Sequence, residues 1–319
     1  MSDIKESTYQ VSSSPHVRAN DTTGKIMLYV IIGLLPTTLF GIYNFGIRAL
    51  LLIAVTILTC MVSEWCFDKI VHKKNTVKDL SCVVTGLLLA LNLPVTLPVW
   101  EAVIGGVFAI IIVKMLFGGL GQNFMNPALG ARCFMLIAFA ADMTKFTTDT
   151  YTGPTPLASI RNGGLDDLNT FNMVIGKTAG TIGETSTVAI VLGAIFLILV
   201  GVIDLTIPAS YIITFSAFIM ILGKNPMNVN YLVAELCGGG LMLGAFFMAT
   251  DYATSPITPK GKIIFGICCG ILTGVFRCFG ANAEGVSFAI ILSNLFVPII
   301  EDLTIPKPFG HVKEAKKDE

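Results

Sequence analysis

A loop between residues 149 and 157 offers one hydroxyl group in a setting suited to covalent modification. It reads Asp-Thr-Tyr-Thr-Gly-Pro-Thr-Pro-Leu, so Thr155 lies between two prolines. Pro156 disfavours the helical region for Thr155, and Pro154 fixes its own φ and restricts Gly153 in the same way. The pattern predicts an extended stretch in which the hydroxyl of Thr155 is open to a modifying enzyme and can tether a group. The same composition is also typical of an ordinary surface loop.

Three acidic residues lie inside or beside apolar segments, where an ionised side chain is costly. Asp251 belongs to the run Asp-Tyr-Ala-Thr-Ser-Pro, which is rich in the oxygen ligands that hard cations prefer. With Thr254 it predicts a cation site or a proton relay. For Glu64 and Glu101 we expect that the carboxylates reach the membrane interface.

The elements that position these residues are apolar segments that cross, or nearly cross, the roughly 30 Å core of a bilayer. Hydrophobic residues make up 54% of the 319-residue chain and charged residues 13%. Soluble domains carry about a quarter charged residues, so lipid must face much of this protein. The net charge of zero leaves no global field for a nucleic-acid partner. We predict an all-α integral membrane protein with about ten transmembrane helices, near residues 26–45, 49–70, 79–93, 100–117, 127–141, 187–204, 207–222, 231–250, 262–279 and 286–300.

The distribution of Lys and Arg predicts the orientation, because basic residues concentrate on the cytoplasmic side. With both termini in the cytoplasm, most of the 21 basic residues lie inside. The predicted organisation is a cytoplasmic tail at 1–25, a first half of five helices at 26–141, an external loop at 142–186, a second half of five helices at 187–300 and a cytoplasmic tail at 301–319.

Two segments hint at internal duplication. Residues 98–123 and 259–284 both contain a proline, a span and then a loop with glycine and asparagine. Five helices per half is an odd number, so the two halves would have opposite orientations, which is the inverted-repeat plan. The alternative is chance similarity between two hydrophobic spans.

The eight cysteines are scattered through apolar runs, and no CxxC pair occurs. Metal and cluster sites need several thiolates at defined spacings. We therefore predict packing roles for the cysteines and no metal site.

Several further motifs, in their order and spacing, make the chain resemble the family that contains the D subunit of the Rnf complex. That family also contains the B subunit of the sodium-pumping NADH:quinone reductase, whose longer N-terminal extension is missing here. The segments that carry the resemblance are Ser14-Pro15-His16-Val17-Arg18, Asn126-Pro127-Ala128, Thr152-Gly153-Pro154-Thr155, residues 251–256 and residues 277–289.

The resemblance implies a covalent flavin. In the family, a flavin transferase joins FMN through its phosphate to a threonine in a Ser/Thr-Gly-Ala-Thr context. Thr155 matches the modified threonine, with Thr152 and Gly153 before it, Pro154 in place of the alanine, and Pro156 after it.

Other residues are expected around that flavin. Arg161 would neutralise the phosphodiester, or it is an ordinary solvated cation of the loop. Arg277 and Glu284 would contact the FMN from the external side. A second group would form another site on the cytoplasmic side, for a noncovalent flavin such as riboflavin or for an ion. Its members are Asn123, Asn126, Asp251 and Thr254.

The function that the resemblance implies is that of a membrane subunit of an ion-translocating ferredoxin:NAD oxidoreductase. The chain would relay electrons through FMN and couple them to export of Na⁺ or H⁺, without being catalytic alone. Its partners would be the A, B, C, E and G subunits of Rnf and a flavin transferase, in a bacterial cytoplasmic membrane. A non-redox secondary transporter or channel and a structural membrane anchor are the alternatives. The sequence does not choose between the two ions or the directions of electron flow.

Overall fold

Long apolar runs form the helices of this chain, because in hydrocarbon a backbone must satisfy its hydrogen bonds within its own segment. The computed structural model describes residues 21–72, 76–146, 155–161, 170–280 and 285–306, and for Arg161 the backbone alone. Within these ranges the chain is helical, with turns and no β-strand. The all-α prediction is therefore confirmed for the part of the chain that the structure describes.

The first part of the chain contains two long helices followed by shorter ones. The helix Val99–Val107 continues without interruption into a π-helix, Phe108–Met115. The elements are α1 (Thr23–Phe45), α2 (Ile47–Ile70), a 3₁₀ turn (Val77–Asp79), α3 (Ser81–Leu91), α4 (Val99–Val107), α5 (Pro127–Ala138) and α6 (Ala140–Met143).

The second part begins with two short helices that lie inside the predicted external loop. Later in this part, a bend of 62° separates the helix Val229–Cys237 from the helix Leu241–Leu243. The second of these continues into the π-helix Gly244–Met248. The elements are α7 (Pro156–Arg161), α8 (Thr170–Ile175), α9 (Thr187–Val200), α10 (Thr206–Leu222), α11 (Val229–Cys237), α12 (Leu241–Leu243), α13 (Pro259–Phe279) and α14 (Val286–Thr304).

Several of these helices are suited to a bilayer by length and composition. In the described ranges four are long and apolar enough to cross it, namely α1, α2, α13 and α14, and the bent α11–α12 pair makes five. Helices α3, α5, α9 and α10 are apolar but shorter. The described part of the chain is thus all-helical and contains several candidate membrane spans.

Helices α1 and α9 pack at very short range, through a glycine on each. A Cβ on Gly193 would lie 1.8 Å from the carbonyl oxygen of Gly33, and a Cβ on Gly33 would lie 2.9 Å from Cγ of Leu197. Small residues at such crossings let helix backbones approach closely in membrane proteins. The crossing joins a helix of the first predicted half to one of the second.

Irregular backbone lies in the interior at one end of α3. Leu91 and Leu93 accept hydrogen bonds from the backbone N–H groups of Gly183 (2.7 Å) and Ile182 (3.1 Å), and residues 181–187 are buried. Non-helical backbone at such depth is tolerated where protein surrounds it. Part of the predicted external loop therefore enters the core and contacts the end of α3.

We predict that Gly193→Ala destabilises the protein, because its Cβ would collide with backbone that cannot rotate away. Overpacking of this kind costs about 1–3 kcal/mol or more. The measurement is thermal unfolding of the purified protein in detergent.

The matched control for this variant is Gly24→Ala. A Cβ at Gly24 has one atom within 4 Å, the carbonyl oxygen of Lys78 at 3.7 Å. The control should match the wild type, and equal melting temperatures for both variants would contradict the close helix crossing.

Candidate functional site

Thr155 lies directly before α7 and caps it. Its Oγ1 accepts a hydrogen bond from the backbone N–H of Ala158 (3.3 Å), and its carbonyl oxygen accepts one from Ser159 (2.9 Å). The side chain is half-buried, and Pro156 is the first helical residue. Proline is favoured at that position, where its missing N–H has no partner to lose. Thr155 itself lies outside the helix, as expected for a residue before a proline. The prediction of an extended stretch is wrong for Pro156 and Leu157, which are helical.

Two apolar side chains fix α7 to the core. Leu157 and Ile160 are buried. Leu157 packs on Gly239, where an added Cβ would lie 2.8 Å from Cδ2 of Leu157. This contact requires a glycine at the break between α11 and α12. The break therefore forms the surface on which α7 packs, directly after Thr155.

A cavity of about 20 Å³ opens beside Thr155, and we name it the Thr155 cavity. Such a volume holds one or two water molecules. Glu184 contributes the charged group to its wall. The lining also includes Leu157, Met173, Thr178, Gly180, Thr185, Cys237, Gly238 and Gly239.

Arg277 lies in the last turn of α13 and binds the carbonyl groups that the helix break leaves without helical partners. Its Nη2 donates to the carbonyl oxygens of Gly238 (2.8 Å) and Gly239 (3.2 Å). Its Nη1 forms an ion pair with Glu235 Oε2 at 2.9 Å, and its guanidinium lies 5.1 Å from the ring centre of Phe215. Arg277 therefore lies at the same end of the molecule as Thr155. Its N–H groups there bind Glu235 and the carbonyl oxygens of the helix break.

The rest of the predicted flavin group falls largely outside the described residues. Thr152, Gly153 and Glu284 lie there, as does the side chain of Arg161, whose backbone ends α7.

Glu184 forms a second buried ion pair, with Arg132 of α5. Oε1 of Glu184 lies 2.7 Å from Nη1 of Arg132, and the two side chains are 4% and 3% exposed. Arg132 also donates to Oδ1 of Asn92, the residue directly after α3. The pair thereby connects the segment after residue 180 to α3 and α5.

A larger cavity, of about 80 Å³, is lined by Asn123, Asn126 and Asp251, and we name it the Asn126 cavity. The structure thus brings together three of the four residues predicted for the second site. The fourth, Thr254, is buried and donates from its hydroxyl to Asp251 Oδ2 (3.2 Å). Asp251 lies in the loop before α13, and burial raises the pKa of its carboxyl, although hydrogen bonds from Ala253 and Thr254 lower it in part.

Asn126 fixes the start of α5 at the edge of this cavity. Its Oδ1 accepts from the backbone N–H groups of Ala128 (3.0 Å) and Leu129 (3.4 Å), and its Nδ2 donates to the carbonyl oxygen of Met248 (3.3 Å). The Asn-Pro-Ala motif is therefore a helix cap that also binds the end of the second π-helix.

A third buried ion pair corrects one sequence prediction. Glu64 is fully buried, and its Oε2 lies 2.5 Å from Nζ of Lys114. Glu101 is also buried. The expectation that the carboxylate reaches the membrane interface is therefore wrong for Glu64, which has its countercharge inside the protein, and Lys114 also donates to Ser81 Oγ (2.7 Å). For Glu101, in the first turn of α4, it stays a prediction.

Sequence reasoning missed the other members of the ion pairs, although each gives a signal. Lys114, Arg132 and Glu235 are single charges inside apolar runs. Such residues are expensive in a membrane and invite a search for a partner.

The two cavities lie near opposite ends of α9. Thr185, two residues before the helix, lines the Thr155 cavity, whereas Leu197 in its last turn lines the Asn126 cavity. A helix rises 1.5 Å per residue, so the 14 residues of α9 place the cavities about 20 Å apart.

Comparison with known proteins gives one family and several full-length relatives. The model of the NQR2, RnfD, RnfE family matches residues 10–310. The D subunit of the Na⁺-translocating ferredoxin:NAD⁺ oxidoreductase complex of Acetobacterium woodii is 44% identical, over 98% of this chain and 99% of that protein. The D subunit of the proton-translocating ferredoxin:NAD⁺ oxidoreductase complex of Clostridium ljungdahlii is 38% identical, over 96% and 98%. The D subunit of the ion-translocating oxidoreductase complex of Methanosarcina acetivorans is 36% identical, over the same shares.

The Arg277–Glu235 pair leads to a stability prediction. Arg277→Met leaves the Glu235 carboxylate buried without its countercharge and the carbonyls of Gly238 and Gly239 without donors. Loss of one partner of a buried pair costs about 3–5 kcal/mol. We expect a large fall in the thermal unfolding temperature in detergent.

Two further variants make this experiment specific. Arg277→Met with Glu235→Leu removes both charges and should recover part of the loss. Lys262→Gln breaks the exposed pair with Asp204 and should change the unfolding temperature little, because surface pairs are worth about 0–1 kcal/mol. If Arg277→Met and Lys262→Gln are equally stable, Arg277 does not hold the break.

Proposed function

Because the chain belongs to the NQR2, RnfD, RnfE family, we propose that it is the D subunit of an ion-translocating ferredoxin:NAD⁺ oxidoreductase complex. In this proposal it carries FMN covalently on Thr155, relays electrons through it and takes part in the export of Na⁺ or H⁺. The chain is not catalytic alone, since its cysteines lack a cluster spacing and other subunits must supply the iron–sulfur and NAD⁺ chemistry. The names of the relatives include both ions, so the proposal covers both.

The placement of Thr155 is the observation that carries the flavin proposal. Thr155 is half-buried, so its hydroxyl is accessible. The hydroxyl is also fixed in position, because it caps a helix that packs on the core. The Thr155 cavity, at about 20 Å³, is too small for a flavin ring, so the ring would lie outside it and only the tether at its mouth. FMN, when bound, supplies one- and two-electron transfer. The protein's own contribution is the hydroxyl that forms the phosphodiester and the core contacts that hold it in place.

The proposed membrane arrangement is ten spans in two inverted halves, with both termini in the cytoplasm. The spans are α1, α2, α3, α4 with its π-helix, α5, α9, α10, α11 with α12, α13 and α14. If spans alternate in direction, the starts of α1, α3 and α5 and the ends of the fourth, sixth and eighth spans share one side. Residues from these ends line the Asn126 cavity, which supports that arrangement. With both termini proposed in the cytoplasm, the side that these ends share is the cytoplasmic one.

We assign to the Asn126 cavity a second, noncovalent ligand, either a flavin such as riboflavin or the coupling cation. It is the larger of the two cavities, and its wall offers amide groups as well as the carboxyl of Asp251. An amide wall suits the polar edge of a flavin, whereas a carboxyl with a threonine hydroxyl suits a hard cation.

Intact mass and peptide mapping of the chain, purified from its native complex, test the function. We expect a mass increase of one FMN less one water, located on Thr155, and a fluorescent band that survives denaturing electrophoresis. Thr155→Val should abolish both, because the variant lacks the hydroxyl. Acid denaturation of the same sample releases any noncovalent flavin and so tests the assignment of the Asn126 cavity.

Thr178→Val is the matched control, because Thr178 lines the same cavity. It should keep the covalent flavin. An unmodified Thr155 in active native material would contradict the proposal and favour a transporter without a redox role. Full electron flow and ion export by Thr155→Val would favour a structural anchor.

A further inference from the structure

A buried cluster of charged groups extends from the last turns of α2 to the wall of the Asn126 cavity. Glu64 and Asp68 lie one helical turn apart on α2, and they are 0% and 2% exposed. Lys114, in the first π-helix, pairs with Glu64 and lines the Asn126 cavity. Ionisable groups inside a membrane are costly, so their presence calls for a functional explanation.

The charges of this cluster do not cancel. Oε2 of Glu64 lies 2.5 Å from Nζ of Lys114, whose second partner is Ser81 Oγ at 2.7 Å. Oδ1 of Asp68 has no hydrogen-bond partner among the described residues. Two carboxylates against one ammonium group leave one negative charge without compensation. An isolated buried carboxylate is so unfavourable that the group binds a proton instead.

The hydrogen atoms of the cluster lead to the same conclusion. Thr76 Oγ1 lies 2.7 Å from Glu64 Oε1 and 2.9 Å from Asp68 Oδ2. A hydroxyl has one hydrogen to donate, whereas an ionised carboxylate only accepts. Both contacts are hydrogen bonds when the hydroxyl donates to one carboxyl group and accepts from the other, which then carries a proton. The backbone N–H of Thr76 also donates to Asp68 Oδ2 (2.8 Å) and holds the threonine in place.

The thiols near the cluster do not change this count. Cys60 of α2 and Cys82 of α3 interact electrostatically with both Glu64 and Lys114. Both are free cysteines, and ionisation of either one would add negative charge rather than remove it.

The other charged groups of the region have different surroundings. Lys69 of α2 lies 4.9 Å from the ring centre of Trp65. Lys78 and Asp79, in the 3₁₀ turn, belong to none of the described ion pairs. Residues 73–74, both lysines, lie outside the described residues. Within the described part of the chain, a proton is therefore the charge that completes the cluster.

We propose that Glu64, Thr76 and Asp68 hold one exchangeable proton and relay it from the proposed cytoplasmic side to the wall of the Asn126 cavity. In the first state Asp68 Oδ2 carries the proton and the Thr76 hydroxyl donates to Glu64. The proton of Asp68 then moves to Thr76 Oγ1, which releases its own hydrogen to Glu64 Oε1. One O–H bond breaks and one forms at the hydroxyl, and the distances already suit both states.

This transfer changes the charge at the cavity. A protonated Glu64 no longer offsets the ammonium group of Lys114, so the wall that Lys114 contributes becomes more positive. A more positive wall disfavours a cation in the cavity and favours a ligand that has gained negative charge. The shared proton follows from the cluster alone, whereas its use in ion export rests on the proposed function.

Infrared difference spectroscopy of the purified native complex tests the shared proton. The spectrum of the wild type minus that of Asp68→Asn should contain a protonated carboxyl C=O band that shifts in D₂O. The band is lost in the variant because Glu64 is then the one carboxylate for Lys114. Glu64→Gln should remove such a band for the same reason, and it decides the question if Asp68→Asn does not fold.

Asp302→Asn is the matched control, because Asp302 is an exposed carboxyl group at the end of α14. Its difference spectrum should lack the band. If the band is also missing from the difference spectra of Asp68→Asn and Glu64→Gln, both buried carboxyl groups are ionised, and the proposal is overturned. A countercharge from residues 73–74 would produce that result.

Two substitutions of Thr76 test the relay. Thr76→Ser keeps the hydroxyl and Thr76→Val replaces it by a methyl group of similar size. In proteoliposomes that contain the native complex, reduced ferredoxin and NAD⁺, a potential-sensitive dye reports the export of either ion. The initial rate should fall by about tenfold or more in Thr76→Val and stay near the wild type in Thr76→Ser. NADH formation in the presence of an uncoupler should be similar in both.

The outcomes separate the relay from the proposed function. Equal rates of potential formation in the two Thr76 variants overturn the relay, as does an equal loss of uncoupled NADH formation in Thr76→Val. FMN on Thr155 in a complex without the shared proton leaves the proposed function intact. The carboxyl band in a complex whose Thr155 is unmodified overturns the proposed function and leaves the shared proton.

Discussion

Hydrocarbon provides no water to bind a polar group, and this constraint governs how the interior of the chain is built. Each interruption of a helix leaves carbonyl and N–H groups that other parts of the protein must satisfy. The described interior contains three buried ion pairs, and in one of them Arg277 also binds the carbonyl groups of a helix break. The described pairs are Glu64 with Lys114, Arg132 with Glu184, and Glu235 with Arg277.

The helix break at Gly238–Gly240 shows how the constraint leads to a site. Arg277 binds the carbonyls of the break, Leu157 packs against its glycine surface, and Glu184 lies against its last residue. Thr155 directly precedes the helix that Leu157 anchors. The Thr155 hydroxyl, directly before this short helix, therefore has a fixed position relative to the core, through contacts that leave no room for a side chain at the break.

Local features of the fold and the site could be predicted from the sequence. The short helices α3 and α5 follow from apolar runs limited by prolines and asparagines, and the structure places them within the predicted segments. Thr155 lies outside the helix because a proline disfavours the helical conformation of the residue directly before it. The motifs that contain Asn126 and Asp251 predict one shared site, and the structure brings both residues to one cavity.

Features that depend on distant parts of the chain could not be predicted. Glu64 and Lys114 are 50 residues apart. The sequence around Glu64 therefore does not indicate which residue supplies its countercharge. The break at Gly238–Gly240 lies within a segment that hydropathy averages into one span, 231–250. The role of Arg277 as a ligand of backbone carbonyls follows from that break, and so it too required the structure.

The central claim is that the group tethered at Thr155 lies on the path of electrons. Rapid mixing of the native complex with reduced ferredoxin and NAD⁺, followed by absorbance of the covalent flavin, tests it most directly. The account predicts that this flavin is reduced and reoxidised at a rate at least equal to that of NADH formation. A covalent flavin that keeps one redox state while NADH forms would contradict it.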